Sequence, residues 1–146
     1  MKLITRDTDY AIRALCFIAG SKDRIFSADW MVRELKVPRP FLRKILQKLN
    51  KTGLLRSRKG SGGGFSLSAQ ADTILLTDLI RVFQGDLKLN DCYLKKKPCP
   101  DRRTCPLKKK IDAIEKYVIA RLSSITIGGL IREKKGYKKH GVRSRS

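Results

Sequence analysis

Prolines at positions 38 and 40 bracket a single arginine, and glycine fills positions 60, 62, 63 and 64. These two clusters, with what lies between them, restrict the chain more than any other feature. Proline is disfavoured inside a helix but accepted in its first turn. Val37-Pro38-Arg39-Pro40 therefore ends one helix, and Pro40 starts the next. Phe41–Thr52 reads as that helix, with Leu42, Ile45, Leu46 and Leu49 as an apolar stripe at helical spacing. Its other face offers Arg39, Arg43, Lys44, Gln47, Lys48 and Lys51, and Gly53 suits the left-handed cap position. Leu54–Ser68 reads as a β-hairpin whose tip is Lys59-Gly60-Ser61-Gly62-Gly63-Gly64. This tip is no phosphate-binding P-loop, because no Lys-Ser/Thr follows the glycines and no helix opens there. Glycines at a hairpin tip permit positive φ and close approach to another backbone. With Arg56, Arg58 and Lys59 beside Ser61 and Gly62, the hairpin is expected to lie along a phosphate backbone as a wing.

Upstream, Thr8–Ala19 reads as a helix with Ile12, Leu15, Cys16 and Ala19 on its apolar face, Thr8 as cap and Asp9 in the dipole-favoured first turn. Cys16 is expected to be a small core residue. Ser27–Lys36 is a short second helix capped by Ser27, with Met31 and Leu35 pointing inward and Trp30 as a packing residue. A short helix, a tight turn and a helix basic on its outer face make the layout of a helix-turn-helix reader. An ordinary solvated helix face is the plain alternative, and the adjoining wing weighs against it.

Charge bears on the partner. The chain holds 34 Lys and Arg against 13 Asp and Glu, a net of +21. Such a field favours a polyanion, nucleic acid first and an anionic membrane second. No run of 18 or more apolar residues offers a membrane span. Asp7, Asp9 and Arg13 break up any signal-peptide core, so a cytoplasmic location is expected. The length, 146 residues, suits one domain with an added arm.

Downstream, Ala71–Ile74 is a connection, and Asp78–Gln84 a short helix capped by Thr77 and ended by Gly85. Asn90–Lys110 then carries Cys92, Cys99 and Cys105 amid Pro98, Pro100 and Pro106. A loop this rich in proline and charge has no apolar periodicity, so packing does not account for three thiols. Soft thiolates suit zinc or an iron–sulfur cluster. From Pro106 a long helix is expected to run to about Ser123. Leu107, Ile111, Ile114, Val118, Leu122 and Ile125 follow near-heptad spacing along it. Placed after a complete small domain, it has little to pack on in its own chain, and a two-fold dimer through Ile111, Ile114, Val118, Leu122 and Ile125 is the natural solution. The alternative is a helix folded back on its own winged domain. Thr126 is expected to cap a last short helix through Ile131. The tail from Arg132 is basic, holds His140 and has almost no apolar content, so it is expected to be disordered and to add non-specific DNA affinity. The organisation read here is a winged helix-turn-helix domain over 1–70, a cysteine-loop and dimerisation region over 71–131 and a basic tail over 132–146. The fold class is mainly α with a small β-hairpin wing and a long C-terminal dimerisation helix.

These parts resemble the Rrf-two family of bacterial winged-helix regulators, which includes iron–sulfur sensors of the IscR and NsrR types. The matching residues are Thr8-Asp9-Tyr10-Ala11-Ile12-Arg13-Ala14-Leu15, Phe41-Leu42-Arg43-Lys44-Ile45-Leu46, Gly53-Leu54-Leu55 and Lys59-Gly60-Ser61-Gly62-Gly63-Gly64-Phe65. The three cysteines and Ile125-Thr126-Ile127-Gly128-Gly129-Leu130 match as well. The resemblance implies a homodimeric transcription factor in which a cluster, 2Fe–2S or 4Fe–4S, controls binding to a double-stranded DNA operator. It implies Cys92, Cys99 and Cys105 as cluster ligands. In the IscR type the fourth ligand is a histidine just after the third cysteine, and Lys108 stands there in this chain. In the NsrR type it is an N-terminal aspartate from the partner subunit, and Asp9 occupies that place, with Asp7 nearby. Arg39, Pro40 and Arg43 on the helix and Lys59 in the wing fall where the family reads DNA. Some members carry an acid at the place of Arg43 and an arginine at that of Lys59, so the operator is not transferable.

Three rivals stand beside a cluster sensor: a structural zinc site, a clusterless thiol switch, and a basic RNA-binding protein. An enzyme is disfavoured, because no Cys-x-x-Cys pair, no histidine near a nucleophile and no paired carboxylates occur.

Overall fold

A computed structural model describes residues 2–21, 24–89, 99–101 and 103–140, with 136–140 as backbone only. Helix α1 (Arg6–Ala19) starts one turn earlier than the sequence reading placed it. Thr5, not Thr8, is its cap: the Thr5 hydroxyl accepts from the Thr8 backbone N–H. Thr8 is instead fully buried, and its hydroxyl donates to Gln84 Oε1 at 2.7 Å. The inward face is Ala11, Ala14, Leu15 and Ile18, a rotation away from the expected stripe. Ile12, Cys16 and Ala19 are half-buried at its margin. The helices at Arg39–Lys51, Leu76–Gln84 and Ile127–His140 all pack on α1, whose small buried alanines let neighbours approach closely.

Helix α2 (Ala28–Leu35) is capped by Ser27, whose hydroxyl accepts from the Trp30 N–H. It ends at Lys36 in the left-handed conformation. Trp30 packs with Phe17 and Phe26 in an aromatic cluster, as a packing residue should. Helix α3 (Arg39–Lys51) follows the Pro38 turn, with Pro40 inside its first turn. Leu42, Ile45, Leu46 and Leu49 are all buried, as their spacing required. Each such side chain contributes about 1.5–3 kcal/mol of burial. Gly53, at φ 81, turns the chain out of the helix into strand β1 (Leu55–Arg58).

Strand β1 pairs antiparallel with β2 (Gly64–Leu67), in a register that sets Leu55 against Leu67 and Arg58 against Gly64. Phe26 and Phe65 exchange backbone hydrogen bonds of 2.9 and 2.8 Å, which fastens the wing to the helical core. A Cβ on Gly64 would come within 2.3 Å of the Phe26 carbonyl oxygen, so this fastening needs glycine there.

After a 3-10 turn at Ala71–Thr73, helix α4 (Leu76–Gln84) begins with no side-chain cap, so Thr77 does not have the capping role expected of it. Gly85, at φ 83, ends it. Helix α5 spans Pro106–Ser123, the range expected, and packs against α4. Leu76 N–H and Ile125 C=O, then Ile127 N–H and Ile74 C=O, stitch the α5–α6 joint to the connection before α4. Thr126 accepts from the Gly129 N–H and so caps α6, which runs from Ile127 to His140, past Ile131. Its later part holds Arg132, Glu133 and four lysines, good helix formers, which lets the backbone continue where no apolar stripe demands it. Helix α6 lies against α1 and the 3-10 turn, and an Arg132–Asp72 ion pair crosses that contact.

Candidate nucleic-acid interface and cysteine region

Helix α3 is divided cleanly. Its buried leucines and isoleucine hold one side, while Arg39, Pro40, Arg43, Lys44, Gln47, Lys48 and Lys51 are exposed on the other. In the wing Arg56, Arg58, Lys59, Ser61 and Gly62 are exposed too. All twelve residues singled out for DNA in the sequence therefore reach solvent. They do not form one uniform row. Arg39 Nη2 forms an ion pair with Asp29 Oδ1 of α2 at 2.8 Å. The Lys48 ammonium lies 5.1 Å from the centre of the Phe83 ring, which ties α3 to α4. Arg56 borders a concavity with Ser21, Arg24, Ser66 and Gln70.

One contact escaped sequence reasoning. The Arg6 guanidinium sits 4.2 Å from the centre of the Phe41 ring, so the first turn of α1 braces the first turn of α3. The same turn of α1 meets the end of α4. Gln84 Oε1 accepts from the Thr5 N–H and the Thr8 hydroxyl, and Gln84 Nε2 donates to the Leu3 carbonyl. The only available signal was a polar pair 76 residues apart in the chain, which no local pattern reveals.

Of the three loop cysteines, Cys92 lies outside the described residues. Cys99 and Cys105 are half-buried free thiols. Cys99 borders an open concavity with Pro100, Arg103 and Lys108, and Cys105 stands at the N-cap of α5. The Lys108 ammonium donates to Asp112 one turn along. The Asp9 carboxylate accepts from Arg13 at 2.8 Å. Among the described residues no three Cys, His, Asp or Glu side chains gather into a metal site. Cys16, on the margin of the core, is a free thiol whose pKa burial pushes up, while Lys134 on α6 pulls it partly back.

The expected dimer seam divides as well. Ile111, Val118, Leu122 and Ile125 are half-buried, whereas Ile114 is 51% exposed. Leu107 at 66% and Tyr117 at 67% join Ile114 in an exposed apolar strip. Tyr117 was missed in the sequence, although it follows Ile114 by one helical turn. Among the described residues no helix is long and apolar enough to cross a membrane.

The model of the Rrf2 family, described as an iron-dependent transcriptional regulator, matches residues 4–133. The chain belongs to the Rrf2 family. It is a DNA-binding transcriptional regulator, and its relatives are regulators rather than enzymes. A protein of Aquifex aeolicus described as an HTH-type transcriptional regulator is 32% identical over 124 residues, covering 84% of this chain and 86% of that one. The HTH-type transcriptional repressor NsrR of Streptomyces coelicolor is 26% identical over 130 residues, 88% of this chain and 87% of that one. The structure of CymR, the global cysteine regulator of B. subtilis, superposes with a TM-score of 0.76 at 21% identity, over 91% of this chain and 98% of that one. This last likeness carries the winged-helix fold.

Proposed function

We propose that this Rrf2 regulator grips an operator as a homodimer, with α3 in the major groove and the wing along the backbone, and that the state of its loop cysteines sets DNA affinity. The observation that carries the DNA reading is the exposed basic face of α3, backed by four buried residues and followed in the chain by the exposed basic wing. Arg39, Pro40 and Arg43, at the N-terminal half of α3, are the base readers, since arginine prefers guanine O6 and N7. Lys44 and Gln47 lie along the same face. Lys48, Lys51, Arg56, Arg58, Lys59, Ser61 and Gly62 meet phosphates and sugars, which gives a steep salt dependence. The exposed strip on α5 supports the two-fold stem, which would set two reading helices about one DNA turn apart.

The loop fits a thiolate-bound iron–sulfur cluster. Cys99 and Cys105 are free and half-exposed, the ground beside Cys99 is open, and cationic Arg103 and Lys108 border it. Cys92, Cys99 and Cys105 would hold the cluster. Asp9 of the other subunit would complete it once released from Arg13. When bound, the group supplies a state that oxygen, nitric oxide or iron supply can change. Lys108 is occupied with Asp112, which disfavours a ligand at that position and supports the Asp9 arrangement. The chain acts through this state only if the bound loop favours one arrangement of the two reading heads over the other.

Anaerobic purification with visible spectroscopy and iron and sulfide counts tests the cluster. The expected result is a chromophore in the wild type and little in Cys99→Ala, and equal iron in both removes the cluster. A colourless protein holding zinc, or a disulfide after peroxide without iron, identifies one of the rival cysteine chemistries. For DNA, Arg43→Ala is expected to lose sequence preference. Lys59→Ala is expected to bind all duplexes more weakly with a shallower salt slope. The reverse pattern means that the roles of helix and wing are exchanged.

A further inference from the structure

Asp29 is an unexpected residue where it stands. The chain has only 13 acidic residues against 34 basic ones, yet one of them sits in the first turn of α2, beside the start of the reading helix. Its partner there is Arg39, at 2.8 Å. The two side chains are 63% and 55% exposed, so in free protein the pair adds little to stability. Its geometry is nevertheless tightly set. Pro38 fixes the backbone before Arg39, and Pro40 fixes it after, while Lys36 closes α2 in the left-handed conformation. The Asp29 carboxylate is itself held at a helix N-terminus, where the dipole favours it. Arg39 is thus tethered at its backbone by prolines and at its tip by a carboxylate. It is also the first of the exposed cations on α3, and the N-terminal end of a reading helix is the part that meets base edges.

We propose that Asp29 is a specificity-determining positioning residue, a filter that aims Arg39 at guanine and discourages binding where no guanine receives it. The proposal rests on the reading of α3 as the helix that contacts DNA. A guanidinium has five N–H donors in a fixed fork, and Asp29 lies as an ion-pair partner beside those of Nη2. The others stay free for guanine O6 and N7. Drawn toward Asp29, Arg39 loses less freedom on binding than an arginine with no partner would. The carboxylate also has a second effect. Near the duplex it faces phosphates, and two like charges repel more strongly as water leaves the interface. Asp29 therefore weakens contact with every duplex, and only a guanine placed under Arg39 offsets that loss. Removing the charge has unequal consequences for the two classes of DNA, which a merely structural ion pair would not show.

The test uses fluorescence anisotropy with wild type, Asp29→Asn, Arg39→Ala and the double variant. The probes are a duplex enriched from a randomised pool by the wild-type protein, a shuffled duplex of equal composition, and enriched duplexes carrying 7-deazaguanine at one guanine each. Asp29→Asn is expected to bind the shuffled duplex several-fold more tightly and the enriched one no more tightly, so that discrimination falls roughly tenfold. One 7-deazaguanine position is expected to weaken the wild type strongly and to leave Arg39→Ala unaffected. The double variant is expected to discriminate no worse than Arg39→Ala alone. Unchanged discrimination in Asp29→Asn, or equal weakening on both duplexes, overturns the filter. If Arg39→Ala and Arg43→Ala both keep wild-type discrimination, the reading of α3 falls and the filter falls with it. If those two lose discrimination while Asp29→Asn keeps it, only the filter fails.

Discussion

Helices α3 and α5 are both amphipathic in sequence, but the chain treats them differently. The shorter, α3, has 13 residues and buries four of them completely or nearly so. The longer, α5, has 18 residues and buries none. The contrast shows where each helix obtains its stability. A helix in water owes most of its stability to the packing of one face. For α3 that packing is internal, supplied by α1, α2 and β1, and it leaves the cationic face exposed. For α5 the main packing partner among the described residues is α4, and Leu107, Ile114 and Tyr117 stay outside. The packing of α3 is complete in one copy, whereas α5 has an apolar face left uncovered.

The sharpest way to break this comparison is to truncate one residue on each helix. Leu46→Ala, at a site with no exposure, is expected to destabilise the fold by about 2–5 kcal/mol. Ile114→Ala, measured at high dilution, is expected to change stability by less than about 1 kcal/mol. Urea unfolding followed by circular dichroism measures both, and similar losses would mean that α5 is as deeply integrated in its own chain as α3. The next effect in size concerns association. A charge at the centre of an apolar interface weakens it by about 2 kcal/mol or more, so Ile114→Glu is expected to convert a dimer to monomer in sedimentation velocity runs. A wild type already monomeric, or a variant still dimeric, would move the two-fold contact off this strip.

Between the two helices lies the contact of Thr8 with Gln84, which joins the start of α1 to the end of α4. Thr8→Val keeps the shape but leaves Gln84 Oε1 with one donor fewer. The expected loss is about 1–2 kcal/mol in the unfolding free energy. No loss would mean that water replaces the hydroxyl and that this joint is open.

Much of α3 was legible because everything that shapes it is local. The prolines at 38 and 40, the stripe from Leu42 to Leu49 and Gly53 act within a few residues of one another, and the wing follows by the same local logic. The start of α1 was misread for the opposite reason. Thr5 and Thr8 are both acceptable caps, and what decides between them is Gln84, far along the chain, which draws Thr8 into the interior. Thr77 misled in the same way. A threonine before an apolar run resembles a cap, but the pairing of Leu76 with Ile125 starts α4 two residues sooner. On the interface, residue type identified the cations, but not that Arg39 is held by Asp29 or that Lys48 leans on Phe83. Those pairings depend on crossing angles between helices, which a one-dimensional pattern does not contain.

The smallest expected effect lies on the far side of α1, where Cys16 meets α6. Burial holds its thiol pKa above the ordinary value of 9.0, and Lys134 offsets part of that rise. The raised value fixes the sign of a pH effect. In the folded chain the thiol keeps its proton to a higher pH than in the unfolded chain, so above about pH 9 the unfolded state binds fewer protons. The neutral thiol's contribution is complete below the unfolded value and declines as pH rises through the folded one. Cys16→Ala removes the titrating group. The stability difference between wild type and variant should therefore be flat from neutral pH to about 9 and shrink beyond it. Paired urea titrations in reducing buffer measure that difference and cancel the lysines and tyrosines common to both proteins. Parallel curves through the alkaline range would place Cys16 in contact with water, and the packing of α6 on α1 would then be looser than that of α3.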